Sequence, residues 1–418
     1  MTAGLDSTRE GLAIDPARLN ERLDALAHVG AIPGTMGCSR LALSDADREG
    51  RDLVVGWMRD LDLDIVVDGV GNVTATMPAP RGAPVLTGSH IDTVATGGRY
   101  DGNLGVLTGL EVIETVLSAG LELRRPLGVA FFTDEEGARF APDMLGSLVY
   151  VGGLALEEAL DIRGIDGPTV GAELERIGYR GPAPCPGPAP FAFLELHIEQ
   201  GPVLEAEGHR LGAVTGVQGI SWTEVRIVGE SNHAGTTPMA MRKDPAVAAG
   251  AITTFVHDLA VEFGPPQVGT VGKLDLHPDL VNVVPASATL TVDLRNTDEA
   301  ILAEAEARLA EFLEAVSDRF GVSVETSSLA RFAPVEFDPR IVDLVSEVAL
   351  EQGEPAHRMP SGAGHDAQML ARVCPTGMVF VPSNRGISHN PAEHTESADL
   401  ELGANVLLHS MIRLAGEP

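Results

Sequence analysis

The stretch GSHIDTVATGGRYDGNLG, residues 88–105, sets His90, Asp92 and Asp101 among glycines. On an extended strand residues i and i+2 point the same way, so His90 and Asp92 project together. That pairing suits a metal-bound imidazole whose other nitrogen is held by a carboxylate, although a strand-end histidine beside a solvated aspartate has the same spacing. Asp101 follows in a turn where the glycines at 97, 98, 102 and 105 let the backbone reverse and return a short carboxylate to the strand end. The plainer alternative is an Asp-Gly turn. A carboxylate has two oxygens and can bridge two cations, which an imidazole nitrogen cannot. FFTDEEGARF adds Asp134, Glu135 and Glu136 directly after an apolar run. Adjacent residues of extended chain face opposite sides, so one glutamate can ligate a metal while its neighbour faces an attacking water; an acidic run in this place is otherwise a solvated turn. LELHIEQGPVLE supplies His197, Glu199 and Gln200, SGAGHDAQ supplies His365 and Asp366, and GISHNPAEHTE supplies His389, Glu393, His394 and Glu396. Taken singly, each histidine is more readily a structural residue than a ligand. Two cations about 3.5–4 Å apart need about five protein ligands, one of them a bridging carboxylate. His90, Asp101, Glu136, His197 and His389 meet that requirement.

Such a set must be gathered by the fold. APVLTGSHID reads as a buried strand ending at His90, GVLTGLEVIETVLSAG as the helix after it, and RPLGVAFFTDEEG as the next buried strand, again ending in acidic residues. The alternation predicts an α/β sheet with helices on both faces, whose strand ends gather ligands at one edge. The middle of the chain changes period. In ASATLTVDLRN, Ala286, Ala288, Leu290, Val292 and Leu294 share one face, with Ser287, Thr289, Thr291, Asp293 and Arg295 on the other. A half-buried antiparallel sheet fits this pattern. Two helices accompany it, and in the second Leu302, Ala305, Leu309, Leu313, Val316 and Phe320 form one stripe. The expectation is a catalytic domain in two parts, residues 1–212 and 331–418, around an inserted α+β, ferredoxin-like domain over 213–330. GYRGPAPCPGPAPF reads as a surface loop.

The formal net charge of −31 disfavours nucleic acid and anionic membranes as partners. No window holds eighteen uninterrupted apolar residues, and MTAGLDSTREGLAID lacks the basic start and apolar run of a signal peptide, so the cytoplasm is the expected compartment. Cys38, Cys185 and Cys374 have no metal-type spacing and read as free thiols. Lysine occurs only at positions 243 and 273, so a site for an anionic substrate would use arginine.

From about residue 18 onward the chain resembles the dinuclear-metal amidohydrolase and peptidase family that includes aminoacylases and carboxypeptidases. Within it, the likeness is to the hydantoinase–carbamoylase amidase branch of N-carbamoyl-L-amino-acid hydrolases, allantoate amidohydrolases and β-ureidopropionases. It rests on GSHIDT, GGRYDG, TDEEGARF, HIEQGPVLE, SNHAGTTPM, VNVVP followed by DLRN, SGAGHDA and GISHNPAE, in that order.

The resemblance implies a mixed-sheet metallohydrolase domain with an inserted lid or dimerisation domain, and two divalent cations. His90 and His197 would hold one cation, Glu136 and His389 the other, with Asp101 between them. Zinc leads the candidates, and manganese, cobalt and nickel suit the same donors. Glu135 becomes the general base, and Asp92 orients His90. His233 polarises the scissile carbonyl, Asn282 and Arg295 grip a substrate carboxylate, Gln200 adds a contact, and His365 lies near the site. His389 is preferred to His394 as the final ligand. The implied reaction is hydrolysis of the ureido C–N bond of N-carbamoyl-L-amino acids to amino acid, carbon dioxide and ammonia. Allantoate and N-carbamoyl-β-alanine are the alternative substrates, ahead of the amides and peptides of the wider family. The implied assembly is a homodimer through the inserted domain.

Overall fold

A computed structural model describes residues 11–416. The opening residues on which the reading of the N-terminus rests lie largely outside them. The chain divides into two units, one running up to Thr215 and resuming at Glu336, the other covering Gly216–Val335.

In chain order the first unit contributes β1 (Asp64–Val67), β2 (Val73–Thr76), β3 (Val85–His90), α1 (Asn103–Ser118), β4 (Leu127–Phe132), β5 (Ala192–Ile198), α2 (Val203–Glu207) and β6 (Gly212–Val217). The second unit holds β7 (Gly219–Val228), α3 (Pro245–Phe263), β8 (Val268–His277), β9 (Ser287–Asn296), α4 (Glu299–Phe320) and β10 (Ser323–Phe332). The chain then returns through β11 (Val335–Glu336), α5 (Pro339–Glu351), β12 (His357–Ser361), β13 (Thr376–Val381) and α6 (Ser397–Gly416).

The large sheet is mixed, in the order β1-β2-β4-β3-β5-β13-β6-β11, with β12 beside β6. Its centre is parallel, β4 with β3, β3 with β5 and β5 with β13, and the flanking β1, β2 and β6 pair antiparallel. β3, β4, β5 and β13 are buried at every residue, as expected of strands covered on both faces, which read in sequence as near-continuous apolar runs. β6 pairs with β13 in this sheet, and the first unit runs up to Thr215.

The second unit is a four-stranded antiparallel sheet in the order β10-β7-β9-β8. Burial along β9 alternates with the period read from its sequence, Ala288, Leu290, Val292 and Leu294 facing inward. They meet Ala248, Ile252, Val256 and Leu259 of α3 and the Leu302, Ala305, Leu309, Leu313 and Val316 stripe of α4. Each leucine buried there contributes about 1.5–3 kcal/mol. Among the described residues α3 alone is long and apolar enough to cross a membrane; Ala248, Ala249, Ile252, Val256 and Leu259 serve this core, while Val247 and Val261 are exposed.

Candidate dinuclear metal site

Parallel register brings the chemistry to one sheet edge. His90 closes β3 opposite Phe132, the last residue of β4, and Ile198 of β5 lies opposite Val381, the last of β13. Glu135 and Glu136 follow β4, His197 sits near the end of β5, and His389 lies in the loop after β13. Asp101 arrives through the glycine turn. Gly102, at φ +65°, allows close approach, since a Cβ there would come within 2.5 Å of the His90 ring.

Asp101 is buried at the centre and its two oxygens face different partners. Oδ1 lies 3.6 Å from His90 Nε2 and 3.2 Å from His197 Nε2. Oδ2 lies 3.4 Å from His389 Nε2, which is itself 3.2 Å from Glu136 Oε2. Two donor groups therefore share one carboxylate: His90, Asp101 and His197, and Asp101, Glu136 and His389. Glu135 Oε2 lies 3.4 Å from His90 Nε2, beside the first group.

The hydrogen-bond chemistry fits cations. His90 Nδ1 is 2.9 Å from the Asp92 carbonyl oxygen, and His197 Nδ1 is 2.8 Å from that of Ile198. A carbonyl only accepts, so both Nδ1 atoms carry a proton. Both Nε2 atoms face Asp101, donating to it when the ring is protonated and offering a lone pair to a cation when it is neutral, and that of His197 also lies 3.1 Å from the Gly102 N–H. Charge points the same way. Burial pushes Glu135 well above the ordinary carboxylate range; the His90 charge opposes this, while Asp366, Glu136 and Asp101 add to it. Glu136 is raised likewise by burial and then by Asp101. Burial would raise Asp101 too, but hydrogen bonds with His197 and His90 outweigh it and hold the group well below its usual value. His90 is raised despite its burial, by the Glu135 charge and a hydrogen bond to Asp101. A buried, carboxylate-rich cluster whose charged partners are histidines calls for protons or cations in its middle, and mixed imidazole and carboxylate donors suit divalent transition metals.

The other expected residues fall out differently. Asp92 does not orient His90 through its carboxylate. Its backbone carbonyl does that, while Oδ1 and Oδ2 accept the backbone N–H groups of Glu135 at 3.3 Å and Glu136 at 3.4 Å. The side chain thus fixes the two glutamates, because the chain bends after His90 and leaves the carboxylate facing the end of β4. Gln200 donates to Asp101 Oδ2 at 2.9 Å, and its own Oε1 is buried without a partner. His365 is buried, its ring 4.6 Å from that of His197, with Ser361 Oγ 2.9 Å from Nε2; burial and then the His197 charge push it well below the usual histidine value. His394 is half-exposed and paired with Glu396, outside both donor groups.

Three residues belong to the second unit. His233 is exposed, and its Nδ1 accepts the N–H groups of Gly235 and Thr236, which leaves Nε2 as the donor. Asn282 is next to it, its carbonyl accepting the Ala234 N–H at 3.0 Å. Arg295 is elsewhere. It pairs with Asp293 at 2.9 Å near the end of β9 that lies opposite Ile220, whereas Ser287 at the other end lies opposite Val228. The extended strand between them spans roughly 26 Å. Asn282 lies on the chain leading into the Ser287 end of β9, and Arg295 near its other end.

Three supporting residues went unassigned in the sequence. Glu393 reaches back to accept the N–H groups of Tyr100 at 2.9 Å and Asp101 at 3.2 Å, and Ser388 donates to both Glu393 and Asp101. Glu195, wholly buried inside β5, accepts from Ser89 Oγ at 2.6 Å and the Ala367 N–H at 2.9 Å and groups with His197 and His365. A glutamate amid the apolar run FAFLELHI was the available signal, because a carboxylate is buried only with partners.

A mixed sheet that gathers two histidine–carboxylate donor groups around one aspartate defines a metallohydrolase-type centre. Residues 86–413 match Peptidase family M20/M25/M40, and the chain belongs to that family. It is 40% identical over 409 residues to the N-carbamoyl-L-amino-acid amidohydrolase of Rhizobium meliloti, covering 97% of this chain and 98% of the relative. It is also 35% identical to the allantoate amidohydrolase of Escherichia coli strain K12, covering 95% and 97%. A solved amidase of the hydantoinase/carbamoylase family from Burkholderia multivorans superimposes with a TM-score of 0.93 at 44% identity, covering 97% of this chain and 99% of that one.

Proposed function

We propose that this protein is a metal-dependent amidohydrolase that cleaves the ureido C–N bond of N-carbamoyl-L-amino acids, consuming one water and releasing amino acid, carbon dioxide and ammonia. The observation that carries the reading is the division of Asp101 between two donor groups with Glu135 alongside. The likeness to the Rhizobium meliloti enzyme supports the substrate class. Allantoate is the second reading, favoured by the likeness to the Escherichia coli enzyme.

His90 and His197 would hold one divalent cation, Glu136 and His389 the other, and Asp101 both, with zinc ahead of manganese, cobalt and nickel. When bound, such cations supply Lewis acidity and bring the pKa of water near 7. Glu135 takes the proton from the attacking water and passes it to the leaving nitrogen, and its buried setting suits a group that must both accept and release. Asp92 holds Glu135 and Glu136 in place by their backbone N–H groups. Gln200 and Ser388 keep the Asp101 carboxylate oriented. His233, with Nε2 able to donate, would stabilise the charge developing on the carbonyl oxygen. Arg295 would bind the substrate carboxylate through its planar fork. Because Arg295 lies in the four-stranded sheet and the His233–Asn282 pair at a separate two-stranded ribbon, a homodimer in which each copy supplies one of them to a shared substrate is the arrangement that would employ both.

The test measures ammonia release from N-carbamoyl-L-methionine, N-carbamoyl-β-alanine and allantoate, with and without a chelator. Chelator-sensitive release, greatest from the first, is expected; preference for allantoate would select the second reading, and no release from any would refute the ureido assignment. Glu135→Gln should lower kcat by at least about 10²-fold while metal content, measured directly, stays at the wild-type level.

A further inference from the structure

We propose that Glu207, His209 and His357 form a second, peripheral site for one divalent transition-metal cation, zinc in particular. None of the three takes part in the Asp101 cluster. Glu207 ends α2, His209 follows Gly208, and His357 opens β12, all within the first unit. Glu207 Oε2 lies 3.8 Å from His209 Nε2 and 3.8 Å from His357 Nε2. The two imidazoles stack with centroids 4.6 Å apart and planes 19° from parallel, so their Nε2 atoms are presented side by side to one carboxylate oxygen. All three donor atoms fall within 4.8 Å of one another.

Zinc bound at about 2.0–2.2 Å to nitrogen and oxygen in tetrahedral geometry holds its ligand atoms about 3.3 Å apart. The two carboxylate–imidazole separations are thus about half an ångström from that value. The three side chains are partly exposed, at 35%, 53% and 31% for His209, Glu207 and His357, and can make the adjustment by small rotations. Their backbones, in contrast, are fixed. Gly208 takes the left-handed conformation that closes α2 and turns the chain so that the His209 N–H donates to the Leu204 carbonyl at 2.8 Å. The His357 N–H donates to the Leu211 carbonyl at 2.8 Å, which locks the start of β12 against the segment leading into β6. The nearby Arg210 is occupied by Asp399 and Glu354. Two imidazoles and one carboxylate favour zinc, copper or nickel over magnesium or calcium, and a solvent-facing fourth position remains for water. A cation there would clamp the α2–β6 connection to β12. Glu199, two residues after His197, caps the other end of α2 through the Val203 and Leu204 N–H groups.

The test is equilibrium dialysis of the full-length protein against zinc buffers, with zinc per chain determined for wild type, His209→Ala and His357→Gln. The difference between wild type and variant is the quantity read, so the result does not depend on how many ions the Asp101 cluster holds. Each variant should bind one zinc fewer, its affinity at this position falling by more than the roughly 10–100-fold that loss of an outer-shell contact costs. Should His209→Ala fail to fold, His357→Gln at a partly exposed strand start carries the same comparison. Equal uptake by wild type and the folded variants at every free zinc concentration would overturn the site.

Discussion

Replacing Glu393 should loosen the metal centre although this residue is not among the expected ligands. Its Oε1 accepts the N–H groups of Tyr100 and Asp101, and its Oε2 the hydroxyl of Ser388, which also donates to Asp101. Glu393 is only 3% exposed, so its removal leaves two backbone donors without a ready water. Each unpaired buried donor costs about 1–3 kcal/mol, which sets an upper range of roughly 2–6 kcal/mol for Glu393→Ala. Outer-shell losses typically lower metal affinity about 10–100-fold, equivalent to about 1.4–2.7 kcal/mol, and part of the local strain should be relieved by that loosening. Glu393→Gln retains a carbonyl oxygen for the two N–H groups and an amide for Ser388. Burial and then the Asp101 charge push Glu393 up to about 7, so glutamine also resembles a form the native side chain readily adopts. Chelator competition should show weakened metal binding in Glu393→Ala and near-wild-type binding in Glu393→Gln, with thermal midpoints in the same order. Wild-type affinity in Glu393→Ala, or equal damage from both substitutions, would refute this account of the 100–101 backbone.

Asp92→Asn should lower kcat by at least about tenfold, since one of its two acceptors becomes a donor facing an N–H, while metal content stays near wild type because His90 is held by a backbone carbonyl. Loss of a metal with kcat per loaded site unchanged would return Asp92 to the role of aiming His90. Gly102→Ala should cost about 1–2 kcal/mol in backbone strain at its positive φ and, by pressing on the His90 ring, reduce metal content; a full complement in a folded variant would contradict this. Glu173 is held below its usual range, first by Arg176 and also by Arg139, against the effect of burial. With the folded value depressed, its stabilisation is complete above the unfolded value of about 4.3 and is lost as pH falls through the folded value. The gap in thermal midpoint between wild type and Glu173→Gln should therefore narrow on acidification below about pH 4, and a gap that widens would show the sign to be wrong.

Much of this architecture is legible because local pattern and burial agree. β3, β4, β5 and β13 are buried on both faces, so their runs are mainly apolar, with polar residues such as Ser89, Glu195 and His197 where partners are at hand, and β9 is buried on one, so it alternates. Ligand types at strand ends follow from the same strands. Which atom of a residue acts is less legible. The spacing of His90 and Asp92 does not reveal that the carbonyl rather than the carboxylate reaches the imidazole, since that depends on the bend after β3. Glu393 lies within a short polar motif, and nothing local indicates a reach across nearly 300 positions to Tyr100. The distance between Asn282 and Arg295 depends on the length and register of β9, which residue types alone do not fix.

The discontinuous first unit has a consequence for biosynthesis. His90, Asp101, Glu136 and His197 precede the second unit in the chain, whereas His389 and Glu393 follow it. A growing polypeptide translated at about 5–20 residues per second therefore carries one donor group and an unsupported Asp101 turn until the segment with His389 and Glu393 emerges from the ribosome. The second donor group therefore closes only once His389 has been made, so on the dinuclear reading complete metal loading would come late in synthesis.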